Sequence, residues 1–208
     1  MCLYYKIHIK PCLETCKFSG DETITITVKT PTTSIQLHSL DIEIQSAVIN
    51  GTTEATSIDF SEENESVTLF FTEEITVGEH ELSLVFTGEV NDKLKGFYRS
   101  TYHSLDGDVK TCAITQFEAT DARRCFPCWD EPAIKASFTC SLTIPSHLLA
   151  LSNMPVENEA ELGDGLKRLD FGRTPISPTY KVVLKCQFLV KAVISGRFGV
   201  VRSHFLSF

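Results

Sequence analysis

Thr23-Ile24-Thr25-Ile26-Thr27-Val28 alternates polar and apolar residues without a break. Successive side chains of a β-strand point to opposite faces of a sheet, so this alternation predicts a strand with one buried and one exposed face. Threonine, isoleucine and valine also favour strands over helices. The same period of two returns in residues 40–44, 66–71, 81–86 and 137–144.

Turn-forming residues separate these segments, as at Ser19-Gly20-Asp21, Thr30-Pro31, Asn50-Gly51 and Val77-Gly78-Glu79. Short strands at a regular spacing of roughly 8–12 residues are typical of sandwiches and of paired, curved antiparallel sheets. No stretch before residue 115 has helical periodicity, and residues 119–135 have the composition of an ordered loop with one helical turn. The sequence therefore predicts an all-β, sandwich-like antiparallel domain.

Composition excludes several classes of protein. The 208 residues carry a net charge of −8, whereas nucleic-acid binding needs a basic surface, so no nucleic-acid partner is expected. No apolar run approaches the ~18 residues of a transmembrane helix, and no secretory signal is evident at the amino terminus. The eight cysteines follow no regular disulfide framework, which favours reduced thiols and a cytoplasmic location.

The most distinctive stretch is residues 115–124, TQFEATDARR, followed by residues 126–132, FPCWDEP. It concentrates charged side chains and the single tryptophan of the chain between apolar strands. Loops held on a rigid sheet are where binding groups gather. Taken alone, Glu118 is interpreted as a solvated strand residue and Gln116 as a structural amide.

This stretch closely resembles the zinc aminopeptidases of the gluzincin, aminopeptidase N type, and in particular their puromycin-sensitive members. Shorter similarities in residues 5–11, 18–20, 35–38, 96–100 and 150–155 extend the resemblance from about residue 4 to about residue 180. It implies a saddle-shaped amino-terminal β-domain that packs against a catalytic domain of thermolysin type. The implied partners are that catalytic domain and a peptide substrate with a free amino terminus.

The resemblance assigns substrate-binding roles to two residues. Glu118 matches the carboxylate that binds the substrate's α-amine, and Gln116 matches a residue that lines the pocket for the first side chain. Arg123, Arg124, Asp130 and Glu131 are expected to form a salt-bridged loop that holds this anchor in place. Because relatives of this type occur in the cytosol, at membranes and outside cells, a membrane-associated or extracellular location is the alternative to the cytoplasm.

The zinc of this enzyme class is held by H-E-x-x-H and a more distant glutamate. None of the six histidines lies four residues from another, so no catalytic residue or metal ligand is expected in this chain. Cys125-x-x-Cys128 lacks a regularly spaced second pair of ligands and is not predicted to bind zinc.

The chain alone is expected to be inactive, with zinc a cofactor of the full-length enzyme only. The alternative is a non-catalytic interaction module that binds a full-length homologue or peptide amino termini.

The last segment departs from the rest in composition. Residues 171–208 contain six basic residues and no acidic one. We expect residues 1–180 to form the amino-terminal domain and residues 181–208 to be a divergent basic tail, which a truncation or splice artefact would explain. Ordinary divergence is the alternative.

Overall fold

The computed structural model describes residues 2–103 and 107–188. They form fifteen β-strands and two single-turn 3₁₀ helices, which confirms the all-β fold. The strands are β1 Cys2–Cys12, β2 Lys17–Val28, β3 Thr32–His38, β4 Ile42–Ile49, β5 Thr53–Glu54, β6 Ser57–Ser61, β7 Ser66–Ile75, β8 Gly78–Glu89, β9 Gly96–His103, β10 Val109–Gln116, β11 Ser137–Pro145, β12 Leu148–Ser152, β13 Val156–Gly163, β14 Leu166–Phe171 and β15 Leu184–Phe188. The 3₁₀ turns are Ala122–Arg124 and Thr179–Lys181.

The described strands make three sheets. The largest has eight strands in the order β13-β14-β11-β1-β2-β8-β4-β5, the second has the order β12-β15-β10-β9, and the third has the order β3-β7-β6. Neighbouring strands pair antiparallel except for β1 and β11, which run parallel. The predominantly antiparallel pairing agrees with the prediction from the short alternating segments.

The alternating segment at residues 23–28 lies in β2, near the centre of the eight-stranded sheet. Ile24, Ile26 and Val28 are buried, while the threonines between them lie on the opposite, partly exposed face. Removing these apolar side chains from water stabilises the fold by roughly 25 cal/mol per Å² of buried area. The same inward stripe continues back to Glu22, which is also buried.

One strand lies within the segment that we expected to be a divergent tail. β15 occupies an inner position of the second sheet, paired with β10 on one side and β12 on the other. Leu184 and Cys186 are buried there. The domain boundary at residue 180 stays a prediction, and residues 189–208 of the expected tail lie outside the described residues.

Among the described residues, no helix is long and apolar enough to cross a membrane. The side chains of seven cysteines are described, and all of them are free thiols. Five of the seven are buried.

Candidate functional site

Gln116 and Glu118 lie at the end of β10, where the strand runs into the loop. Both side chains are exposed, and Phe117 between them is 1% exposed. The Phe117 ring packs edge-on against Phe126, with 5.9 Å between the ring centroids. The peptide bond between Glu118 and Ala119 is cis. The buried phenylalanine thus holds the backbone while two polar side chains face outward on either side of it.

Arg124 clamps the turn that follows. The Asp121 amide donates to the Phe117 carbonyl at 3.0 Å, and Arg124 Nε donates to Asp121 Oδ1 at 2.8 Å. Arg124 Nη1 also donates to Asp41 Oδ2, which ties the loop to the start of β4. The stem of Arg124 lies against Gly96, the residue that pairs with Gln116 across the sheet. Arg124 therefore contacts the loop after Gln116 through Asp121, and it contacts β9, opposite Gln116, at Gly96.

A second, buried arginine is bonded more extensively. Arg123 Nε donates to Asp130 Oδ2 at 3.1 Å, and Arg123 Nη1 donates to Glu65 Oε2 at 2.9 Å. The other Asp130 oxygen accepts a hydrogen bond of 2.6 Å from the Thr179 hydroxyl. Arg123 is 7% exposed and Asp130 is 2% exposed. Since both Asp130 oxygens have donors, this buried charge is compensated.

His38 connects the loop to β3. Its backbone exchanges two hydrogen bonds with Cys128, and its Nδ1 accepts a bond of 3.1 Å from the Asp130 amide. Partial burial, together with the nearby Arg123 guanidinium, lowers the pKa of His38 below that of a free histidine. The neutral imidazole is therefore the form that accepts from Asp130. Glu131 Oε1 lies 3.8 Å from His38 Nε2.

The expected salt-bridged loop is present for three of its four residues. Arg123, Arg124 and Asp130 form ion pairs that fix the loop, whereas the contact of Glu131 is with His38 rather than with an arginine. The partners Asp41, Glu65 and Thr179 were not predicted. They come from segments 49 or more residues away, and no local sequence pattern marks them.

Cys125 and Cys128 lie in the core beneath the loop. Burial raises the pKa of both thiols well above the ordinary value, so both are protonated. No three histidine, cysteine, aspartate or glutamate side chains of the described residues are grouped so that they could hold a metal ion. The described residues therefore do not fit the zinc site of an aminopeptidase.

The same part of the core holds a carboxyl group that sequence reasoning missed. Glu22 is 2% exposed, and neither of its oxygens has a hydrogen-bond partner among the described residues. Burial first, and the charge of Asp21 second, raise the pKa of Glu22 well above that of a free carboxyl. The period-two pattern of β2 contained the signal, because residue 22 falls on the same face as Ile24.

The all-β fold and the polar loop after β10 agree with the class that the resemblance implies, an amino-terminal β-domain of the aminopeptidase type. The chain belongs to the peptidase M1 family, since residues 2–181 match the Peptidase M1 N-terminal domain. This confirms the resemblance found in the sequence.

The relatives carry the names of aminopeptidases. The chain is 42% identical over 181 residues to aminopeptidase M1-C of Oryza sativa subsp. japonica, a match covering 86% of the chain and 20% of that protein. It is 40% identical over 207 residues to aminopeptidase M1 of Arabidopsis thaliana, covering 96% and 22%. It is 35% identical over 184 residues to puromycin-sensitive aminopeptidase of Caenorhabditis elegans, covering 86% and 19%. The chain thus spans about a fifth of the length of these relatives.

Proposed function

We propose that this domain supplies the anchor for the substrate's α-amine in a zinc aminopeptidase that removes amino-terminal residues from peptides. Glu118 binds the protonated amine, and Gln116 lines the pocket for the first side chain. The observation that carries the proposal is the pair of outward-facing polar groups on either side of buried Phe117, on a loop fixed by Arg123 and Arg124.

A fixed carboxylate explains selection for a free amino terminus. An ammonium group gains a charge-assisted hydrogen bond from Glu118, whereas an internal peptide nitrogen carries no charge to bind. In open solvent such a pair is worth at most about 1 kcal/mol. The same pair becomes much stronger once a second domain excludes water from it. The proposed anchor is therefore effective only in the presence of the catalytic domain.

The zinc and the groups that activate water belong, in this proposal, to that catalytic domain. The chain on its own is then inactive, and its residues contribute binding and orientation only. We propose the cytoplasm as the compartment, in keeping with the free thiols of the described cysteines.

The proposal is tested in a chimera with a full-length relative. Residues 1–181 replace the matching segment of the Arabidopsis aminopeptidase M1, and kcat/KM is measured on an aminoacyl chromogenic amide. We expect Glu118→Gln to lower kcat/KM by about 30-fold or more, which corresponds to about 2 kcal/mol of lost transition-state binding. The N-acetylated substrate should not be cleaved.

Glu73→Gln is the matched control, because Glu73 is an exposed glutamate on β7, outside the loop. It should leave kcat/KM unchanged. Equal activity of the two variants would refute the anchor assignment, as would cleavage of the acetylated substrate by the unsubstituted chimera at the rate of the free one.

A further inference from the structure

The turn between β1 and β2 carries two cysteines that the proposed function does not use. Cys12 is the last residue of β1, and Cys16 directly precedes β2. Cys12 is exposed and Cys16 is half-buried, whereas the other five described cysteines are buried in the core. These two are therefore the solvent-accessible thiols among the seven cysteines whose side chains are described.

The turn has a fixed geometry. Cys12 and Lys17 are Cα partners across the hairpin, so the loop between them has four residues and Cys16 is the last of them. Cys16 adopts a left-handed backbone conformation with φ of +54°. The Cys16 thiol donates to the Leu13 carbonyl at 3.6 Å, and the Cys16 carbonyl accepts from the Val90 amide at 2.9 Å. Cys12 thus lies directly before this short, anchored loop, and Cys16 is its last residue.

The surroundings of Cys12 favour a reactive thiol. Hydrogen bonds from the Thr15 hydroxyl and the Thr15 amide, and a weaker one from the Glu14 amide, lower the pKa of Cys12. Together they outweigh the opposing effects of desolvation and, after it, of the Glu14 carboxylate charge on the pKa of Cys12. The thiolate is the nucleophile in disulfide exchange, so Cys12 is the attacking group. The buried thiols differ, since burial raises the pKa of Cys140 to about 12.

We propose that Cys12 and Cys16 form a dithiol site that exchanges with low-molecular-weight disulfides of the glutathione type and closes a disulfide across the turn. The Cys12 thiolate attacks one sulfur of the small disulfide, which forms a mixed disulfide and releases one thiolate. Cys16 loses its proton to solvent and attacks the Cys12 sulfur, which releases the second thiolate. Two protein thiols are oxidised, and one small disulfide is reduced to two thiols.

The sequence offers a direct readout of this reaction. Trypsin does not cleave between Lys10 and Pro11, so the tryptic peptide 7–17 contains Cys12, Cys16 and no other cysteine. The folded 208-residue chain is incubated with glutathione disulfide, and its free thiols are then blocked. The chain is digested with trypsin, and the masses of the peptides are measured by mass spectrometry. We expect peptide 7–17 to lose two hydrogen atoms and to escape blocking. Peptides 111–123 and 136–167, which carry buried Cys112 and Cys140, should remain reduced and be blocked.

Single substitutions separate the two steps. Cys16→Ser should accumulate the mixed disulfide on Cys12, because the resolving thiol is absent. Cys12→Ser should slow the reaction of the turn by about tenfold or more, because the exposed attacking thiol is then absent. The proposal is overturned if the unsubstituted chain stops at the mixed disulfide. It is equally overturned if peptide 7–17 reacts no faster than the peptide that carries Cys112.

Discussion

At the scale of single residues, the most unusual group is the carboxyl of Glu22. It lies in the buried stripe of β2, directly beside Ile7 of β1 and Leu84 of β8. A charged carboxylate without hydrogen bonds is very costly in such a place, so the group is protonated in the folded protein. Cys125 and Cys128 are also near this carboxyl, and they are protonated as well.

This protonation makes stability depend on pH. The pKa of Glu22 is higher in the folded state than in the unfolded state, so the folded state holds the proton more tightly. The contribution of Glu22 to stability is then greatest below the ordinary carboxyl pKa and decreases as the pH rises above it. Each pH unit costs about 1.4 kcal/mol for as long as the folded group stays protonated. We expect the free energy of unfolding in urea to be lower at pH 8 than at pH 5.

Two substitutions of Glu22 separate the effect of its titration on stability from the effect of burying an unpaired polar group. Glu22→Leu should raise the free energy of unfolding at pH 8 and remove most of its decrease between pH 5 and pH 8. Glu22→Gln removes the titration but keeps an unpaired polar group, so it should flatten the pH dependence with a smaller gain in stability. If both variants keep the pH dependence of the unsubstituted chain, Glu22 is not its source.

At the scale of elements, the position of the loop depends on the close approach of β9 to Arg124. Gly96 has φ of +68°, and a Cβ atom there would lie 2.7 Å from Arg124 Cβ. Because Gly96 is the Cα partner of Gln116, a shift of Arg124 or β9 displaces the proposed pocket residue.

Gly96→Ala tests this packing. It should destabilise the domain by about 2–3 kcal/mol, through both the left-handed backbone and the contact with Arg124. Gly51→Ala is the matched control, because Gly51 has φ of +70° but nothing lies within 4 Å of a Cβ placed there. The control should show only the backbone cost, about 1 kcal/mol. Equal losses in urea unfolding would show that the contact with Arg124 contributes nothing.

The buried pair of Arg123 and Asp130 gives a second test of the loop. Asp130→Asn leaves the Arg123 guanidinium with the part-exposed Glu65 as its one carboxylate partner among the described residues, so we expect a loss of about 3–5 kcal/mol. Glu65→Gln removes only that outer partner and should cost less than about 1 kcal/mol. Thermal unfolding of the two variants provides the comparison, and a larger loss for Glu65→Gln would contradict this assignment of the buried charge.

The candidate site was only partly predictable from the sequence. Gln116 and Glu118 were assigned through the resemblance of their motif, and their substrate-binding roles stay predictions. The ion pairs within the loop follow from charges placed close together in the sequence. The contacts that fix the loop from outside were not found, because Asp41, Glu65 and Thr179 are distant in sequence. Such contacts exist only after the three sheets have assembled.

At the scale of the whole molecule, local patterns predicted strands but not their order. The alternation at residues 23–28 requires only that one face be buried, and it does not specify the neighbouring strands. The parallel pairing of β1 with β11 joins residues more than 130 positions apart, and no short-range signal encodes it. The same holds for β15, which pairs with β10 on one side and β12 on the other.

The relation between this domain and the rest of an aminopeptidase gives the last prediction. An exposed carboxylate holds an ammonium group by at most about 1 kcal/mol, so the 208-residue chain alone should bind leucine amide too weakly for calorimetry. It should also release no chromophore from an aminoacyl substrate, with or without added Zn²⁺. Inserted into the Arabidopsis relative, the same residues should support turnover that depends on Glu118. Zinc-dependent hydrolysis by the chain alone would contradict the proposal that this domain binds the substrate amine while the catalytic domain holds the zinc. Tight binding of the isolated chain to peptide amino termini, but not to their acetylated forms, would favour an independent binding module instead.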